Sequence, residues 1–400
     1  MPRVRRLVPL ALALLPACGD SAPASEIVPA GGFGTPRQLI YVVSGEPIPK
    51  HGATTSTPGS VHVFERDTFA SVGFFSVGRG PENVNASADG RYVFVTNAGS
   101  GTATFLDTQT WERRTLTLGV RPNHSFVSPD HSSVWIGNDG SASVSVVRFE
   151  DLSVIGPVTT GAGHHKIAFA TEPGGAFARA YVSNIVDGTV TPVSPQGVAS
   201  LNVPGTGFGP HGMDFASSNG RIYDCTDTGI DVIATRDEPG TPEDDTSTVV
   251  ARIALPARCS YLRIDEDGTH AVATIPSMAS LVRMRLSDHQ LERFPVASDP
   301  DTVVVTGDHA FVSSLSAPVV SFVDFSGAIP AGSIDVGNAG VSGHRPIRLD
   351  GDLLFVPNLG DDSVSLVDVT TRTVVHTLTE IESPVDVAVA GPSGGTVYPR

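Results

Sequence analysis

An all-β protein built as a ring of four-stranded antiparallel blades, a β-propeller, is the fold class that this sequence predicts, and three observations lead there. A block of about forty residues recurs along the chain with one internal order, the sign of a repeat architecture. The 42 Gly and 31 Pro against only 4 Met are the composition of short strands joined by many tight turns, not of helices. A 40% hydrophobic share over 400 residues is enough to bury a large core.

The block is plainest in two consecutive copies. Gly78 to Asp107 reads GRGPENVNASADGRYVFVTNAGSGTATFLD, and Gly119 to Val147 reads GVRPNHSFVSPDHSSVWIGNDGSASVSVV. In both, a Pro opens a short apolar strand, an Asp turn follows, a second strand ends in Asn, and a Gly/Ser turn leads to a third strand. Later copies carry YVSNIVDGTVTPV from Tyr181 and LLFVPNLGDDSVSLVD from Leu353. These segments resemble the YVTN repeat of bacterial β-propellers, most closely at Tyr92 to Asn97, over nearly all of the chain after Pro36.

Each block supplies four strands, A to D from the inside outwards, with apolar and polar residues alternating in the outer ones. A single sheet of four cannot bury both faces, whereas a ring of them can. Strands A are expected to begin near Asn83, His124, His165, Gly212, Ser260, Thr302, Pro346 and Val385. Ahead of the first of these, Leu39 to Val43, Ser60 to Phe64 and Ser71 to Val77 read as strands B, C and D with no strand A of their own. The last strand A, around Val385 to Ala390, has at most a stub after it. An N-terminal B-C-D set completed by a C-terminal A closes the ring. This gives eight blades, with seven as the alternative.

The N-terminal region reads differently from the repeats. Arg3, Arg5 and Arg6 precede an apolar stretch from Leu7 to Leu15 that is too short to span a bilayer. It closes on Leu15-Pro16-Ala17-Cys18, which resembles the lipobox of bacterial lipoproteins. The resemblance implies a signal peptide over residues 1–17, lipidation of Cys18, a small-residue linker over 18–36 and a propeller over 37–400. It also implies a place in the bacterial cell envelope, periplasmic or at the cell surface, tethered to the membrane through the lipid. The formal charge of -16 would become about -19 after cleavage, and no basic stripe is present to neutralise phosphates, so nucleic acid is excluded as a partner. A monomer is expected.

Strands in a blade alternate in direction, so D-to-A connections and B-to-C turns share one face of the ring. His124 (RPNHSF), His164 and His165 (GAGHHKIAF), His211 (GPHGMDF) and His344 (SGHRPIR) all fall in D-to-A connections or at the first residues of a strand A. His51 lies in the long B-to-C loop Gly45 to Gly59 of the same face. His131, His270 and His309 fall on A-to-B turns of the opposite face and read as solvated turn residues. Convergent neutral imidazoles are zinc or copper ligands, so His124, His164, His165 and His211 are the candidate ligands, with His344 and His51 as further ones. Glu82, Asn83, Asp214 and Asp301 are polar neighbours. The bland alternative is a wet, polar channel with His as a turn device.

RPNHSF, GAGHHKIAF and PHGMDF followed by YDC also resemble the successive His-bearing segments of propeller-type periplasmic zinc chaperones that hand metal to ABC zinc importers. That resemblance implies zinc as cargo, a metal-transport protein as partner, and His124, His164, His165 and His211 in or beside the site. The flexible His/Asp-rich capture segment of such chaperones is missing here. Cys225 and Cys259 remain once Cys18 carries lipid, and in an oxidising compartment a disulfide between them is the first reading, with thiolate ligation of a metal the alternative.

No Cys-x-x-Cys-His for attached haem, no Gly-x-Ser-x-Gly elbow and no phosphate-cradling loop occurs. An enzyme is therefore the less expected class, although propellers related by fold include lactonases and oxidoreductases. Arg236 to Ser247 reads as an acidic, solvated insertion between strands C and D, facing away from the histidines. Two readings stand: an envelope metal-binding propeller, acting as zinc chaperone or sensor, and a non-catalytic scaffold that binds an envelope protein or surface polymer.

Overall fold

The central strands of this chain are apolar at consecutive positions, as in Leu39-Ile40-Tyr41-Val42-Val43, which requires cover on both faces. A computed structural model, which describes residues 37–46, 57–235, 247–340, 344–392 and 394–395, supplies that cover by arranging eight sheets in a ring. Leu39, Tyr41 and Val43 pack towards blade 2, while Ile40 and Val42 pack towards blade 8. Every apolar cluster is likewise drawn from two neighbouring blades, so the core consists of eight inter-blade layers. Outer strands need cover on one side only, and Thr248–Ala254 alternates exposed and half-buried residues along its whole length.

Strand A of blades 2 to 8 is Pro81–Ala86, Pro122–Val127, Ile167–Thr171, Met213–Ala216, Leu262–Ile264, Pro300–Thr306 and Arg348–Asp350. Blade 1 combines B, C and D (Leu39–Ser44, Pro58–Glu65, Ser71–Arg79) with the C-terminal A strand Pro384–Gly391. Leu39 stands opposite Ala390 and Val42 opposite Val387, so the expected closure is borne out, and a two-residue stub, Gly394–Gly395, follows the last A. Eight blades, not seven, form the ring.

One blade departs from the expected four strands. Blade 4 has three, Ile167–Thr171, Phe177–Asn184 and Thr189–Val193, and its fourth place is taken by an extended segment with one isolated bridge, Val193 to Ala199. Two further backbone bonds, Ser200 N–H to Pro192 O and Val203 N–H to Val190 O, hold this segment at 2.9 Å each. Pro192 has no N–H to give an outer partner, which interrupts the ladder on that edge.

The segments read from sequence as signal peptide and linker, with Cys18, His51 and the acidic insertion, lie outside the described residues, apart from Ser247 at the insertion's end. No helix among the described residues is long and apolar enough to cross a membrane.

Candidate functional site

The Asn that ends strand B in the repeat is also what positions the D-to-A connections. In blade 3, Asn138 donates from Nδ2 to the Ser143 and Ser145 hydroxyls, and its Oδ1 accepts the Gly119 N–H at 3.2 Å. Asn184 does the same in blade 4 with Thr189, Thr191 and the Gly161 N–H, and Asn358 in blade 8 with Ser363, Ser365 and the Gly337 N–H. Gly119, Gly161 and Gly337 open the connections that lead to His124, His164 and His344. A Cβ on Gly161 would stand 2.7 Å from the Asn184 Cγ, so only glycine admits this approach.

These connections bring four imidazoles from four blades into contact. The ring centroids of His124 and His164 are 4.8 Å apart, those of His124 and His344 5.2 Å, and those of His164 and His211 5.4 Å. His344 thus joins the group across the channel. His165 is placed otherwise: it is fully buried, its Cβ lies against Gly137, and its Nδ1–H donates to the Ser183 carbonyl at 3.0 Å. His131 lies in an A-to-B turn and His270 and His309 open strands B, so these three are on the opposite face as expected.

Three of the four contacting rings are held through Nδ1. His164 Nδ1 is 2.7 Å from Asp139 Oδ2, His344 Nδ1 is 2.7 Å from Asp301 Oδ2, and His211 Nδ1 donates to the Ser260 carbonyl at 2.7 Å. An imidazole that gives its Nδ1 proton to an acceptor carries its lone pair on Nε2, the arrangement that outer-shell carboxylates impose on metal-binding histidines. Asp139 is itself fixed by the Asn123 amide at 2.8 Å and Asp301 by the Arg345 N–H at 2.6 Å. The fourth ring, His124, is buried with an Nδ1 that has no hydrogen-bond partner among the described residues.

Burial, reinforced by Lys166 and the neighbouring rings, holds the His124 imidazole well below its ordinary value of 6.5. His211 is lowered in the same way, against the opposing pull of the Ser260 carbonyl, and His344 is lowered by burial against the pull of Asp301. These rings are therefore neutral at pH 7 and able to donate a lone pair. Burial would raise Asp139 and Asp301, but the His164 and His344 imidazoles and the hydrogen bonds hold both below the usual carboxylate value. Among the described residues, no group of three or more His, Cys, Asp or Glu side chains is arranged to hold a metal ion as it stands.

Strand A runs inwards from this mouth, so later residues of each connection lie deeper in the channel. Lys166 follows His165, is 4% exposed, and sets its Nζ over the Tyr261 ring at 4.9 Å. Burial lowers its ammonium to about 7, and burial raises the Tyr261 phenol to about 12. Arg263 lies against the same ring at 5.0 Å, and Arg348 pairs with Asp386 at 2.7 Å. Of the expected polar neighbours, Asp301 holds His344, Asn83 donates to Asp386 at 2.6 Å, and Asp214 lies towards the other mouth, beside Ser128, His131 and Phe215.

Cys225 and Cys259 form a disulfide between blades 5 and 6, with Cα atoms 5.4 Å apart, so the thiolate-ligand alternative falls. The disulfide frames His211 on both sides. The Cys225 carbonyl accepts the His211 N–H at 2.9 Å, and Cys259 precedes Ser260, whose carbonyl accepts the His211 ring. Sequence reasoning missed Asp139, Lys166, Tyr261, Arg263 and Arg348. A usable signal was their place in a turn after the repeat Asn (Asp139) or within the first residues of strand A (the others).

No protein-family model matches this sequence, and no curated protein matches it. Solved structures share its fold. AztD from Citrobacter koseri superposes with a TM-score of 0.64 at 12% identity, over 89% of this chain and 98% of its own. The dihydro-heme d1 dehydrogenase NirN, in complex with DHE, gives 0.65 at 14% identity, over 88% of this chain and 74% of its own. A 6-phosphogluconolactonase-like protein from Bacteroides fragilis, described as putative, gives 0.54 at 13% identity, over 88% and 98%. At these identities the likeness is one of fold.

Proposed function

We propose that this chain is an envelope metal-binding propeller, a zinc chaperone or sensor, that holds zinc between the imidazoles at one channel mouth. The observation that carries the reading is the contact of His124 with His164 and His344, and of His164 with His211, with three of the rings gripped at Nδ1. Imidazoles sharing one tetrahedral zinc through Zn–N bonds of about 2.0–2.1 Å have ring centroids about 5.2 Å apart. The spacings of 4.8, 5.2 and 5.4 Å match that value, so small rotations about the side-chain bonds would aim the lone pairs at one ion. His124, with its orphaned buried nitrogen, and His164 each touch two of the other rings, and His165 braces the wall beside the group. Copper would find the same donors acceptable. A group without thiolate or bound carboxylate, open at a mouth, suits a cargo ion that comes and goes. The local resemblance of the His-bearing segments to propeller-type zinc chaperones agrees with this, as do the proposed signal peptide, the lipid on Cys18 and a metal-transport protein as partner.

The test is metal content by inductively coupled plasma analysis of untagged protein after zinc loading and gel filtration. Wild type is expected to hold one zinc, His124→Ala with His164→Ala none, and His165→Ala most of it. Equal zinc in the double variant and wild type ends the proposal.

A second reading, a scaffold for an envelope protein, is favoured by one observation. Phe208, Val186 and Val120 are 82%, 73% and 57% exposed on the histidine face, an apolar rim of the kind that marks a docking surface.

A further inference from the structure

Below the imidazoles the channel wall presents an ammonium and a phenol hydroxyl that make no hydrogen bond among the described residues, with a guanidinium beside them. Lys166 is almost wholly buried, yet its Nζ makes no hydrogen bond or ion pair among the described residues and lies over the face of Tyr261. The Tyr261 hydroxyl is buried and has no partner among the described residues, and the Arg263 guanidinium, which donates to the Leu262 carbonyl at 3.4 Å, lies against the same ring. An ammonium can only donate, and a buried donor left unmatched is costly.

The acceptors nearby are already engaged. Asp301 takes the His344 ring and the Arg345 N–H, and Asp139 takes the His164 ring and the Asn123 amide. Asp386 takes the Asn83 amide, the Val84 N–H and the Arg348 guanidinium. Water could satisfy a hydroxyl, but a cluster of cationic donors around one aromatic ring calls for a ligand rich in acceptors and negative charge.

We propose that the channel beneath the histidines is a binding site for a small oxyanion, of the carboxylate or phosphate class, gripped by Lys166 Nζ, the Tyr261 hydroxyl and Arg263. The inference does not rest on the metal reading: the three groups lie deeper along strands A of blades 4 and 6, and none of them is a zinc ligand in that proposal. Tyr261 joins the two levels, since its ring also stacks on His344 at 5.8 Å.

The test is isothermal titration of the mature chain, treated with chelator and then dialysed, with inorganic phosphate, sulfate, succinate and citrate in turn. Saturable one-to-one binding of at least one of them, with a Kd below about 1 mM, is expected. Phosphate or sulfate binding would assign the inorganic class and succinate or citrate binding the carboxylate class. Lys166→Met should weaken the binding about tenfold or more and Tyr261→Phe by several-fold, while circular dichroism stays that of wild type. His124→Ala should leave it within about twofold. No saturable binding of any of the four anions, or binding that survives Lys166→Met unchanged, overturns the proposal. Binding seen only when zinc is present also overturns it, because the anion would then be a ligand of the metal, and the metal reading would stand.

Discussion

Replacing Asp139 by Asn tests whether the grip on Nδ1 is what prepares the imidazoles. Asp139 Oδ2 takes both the His164 ring and the Asn123 amide, at 2.7 and 2.8 Å, and Oδ1 lies 3.3 Å from the His165 N–H. An asparagine of the same shape has one acceptor oxygen for these three donors. With its oxygen towards His164, its NH₂ group meets the His165 N–H. With its NH₂ towards His164, the ring must carry its proton on Nε2, and the lone pair is lost from the side that faces the other imidazoles. Removal of such an outer-shell partner weakens metal binding by about 10- to 100-fold, or about 1.4–2.7 kcal/mol. The assay is competition for zinc against a chromophoric chelator at pH 7.5. Asp288→Asn, which alters an exposed carboxylate on an outer turn, serves as control. A zinc affinity for Asp139→Asn within twofold of wild type would refute the reasoning, because the tautomer of His164 would then be irrelevant to the site.

Four further outcomes are expected. His124 and His211 have folded-state pKa values well below 6.5, so below that pH the unfolded chain binds protons the folded chain does not; their contribution is whole above about pH 7 and falls by about 1.4 kcal/mol per ring at pH 5.5. Urea midpoints at the two pH values should show the loss, and His124→Ala with His211→Ala should flatten it. Lys166→Met replaces a buried ammonium that has no hydrogen-bond partner among the described residues and should raise stability at pH 7 by about 1–3 kcal/mol, read as a higher urea midpoint; a lower midpoint would mean that the amine has a structural partner. Loss of the disulfide, in Cys225→Ala with Cys259→Ala, frees a loop of sequence separation 34 and should cost about 3–4 kcal/mol, with zinc affinity falling as the Ser260 carbonyl drifts from His211. The Arg345 guanidinium, 2% exposed, donates to the Gly337, Ser314 and Pro357 carbonyls and to Asn358 Oδ1, so Arg345→Met should cost about 3–5 kcal/mol in the same urea assay.

Much of the fold was legible because its rule is local. Each repeat states its own strand order, and the paired faces of strands such as Leu39-Ile40-Tyr41-Val42-Val43 demand neighbours on both sides, so a ring follows without knowledge of any distant contact. The choice of face was legible for the same reason, since strand polarity alone sends D-to-A connections to one end. Blade 4 was less legible, because a single Pro192 undoes an outer ladder that composition alone would allow. The site was only half readable. Polarity placed His124, His164, His211 and His344 at one mouth, but it carries no information on which way a ring turns. His164 and His165 are adjacent in sequence and diverge: one meets His124 and His211, and the other turns to the Ser183 carbonyl.

The contacts that shape the two levels of the channel share one property, which is that they run across blade boundaries. Asp139 belongs to blade 3 and holds a histidine of blade 4; Asp301 belongs to blade 7 and holds one of blade 8; Lys166 of blade 4 lies on Tyr261 of blade 6. A repeat motif describes what a module does for itself, as Asn184 does when it binds Thr189, Thr191 and Gly161 within one blade. It is silent about what a module gives its neighbours. Function in this ring is read from the departures: where the repeat allows any residue at the head of strand A, this chain sets imidazoles at the rim and an ammonium and a guanidinium beneath them. Burying the Lys166 ammonium, which makes no hydrogen bond among the described residues, lowers stability. A channel that served only to close the ring would be filled more cheaply with water and serine, so the cost of Lys166 is itself an argument that something with complementary charge enters there.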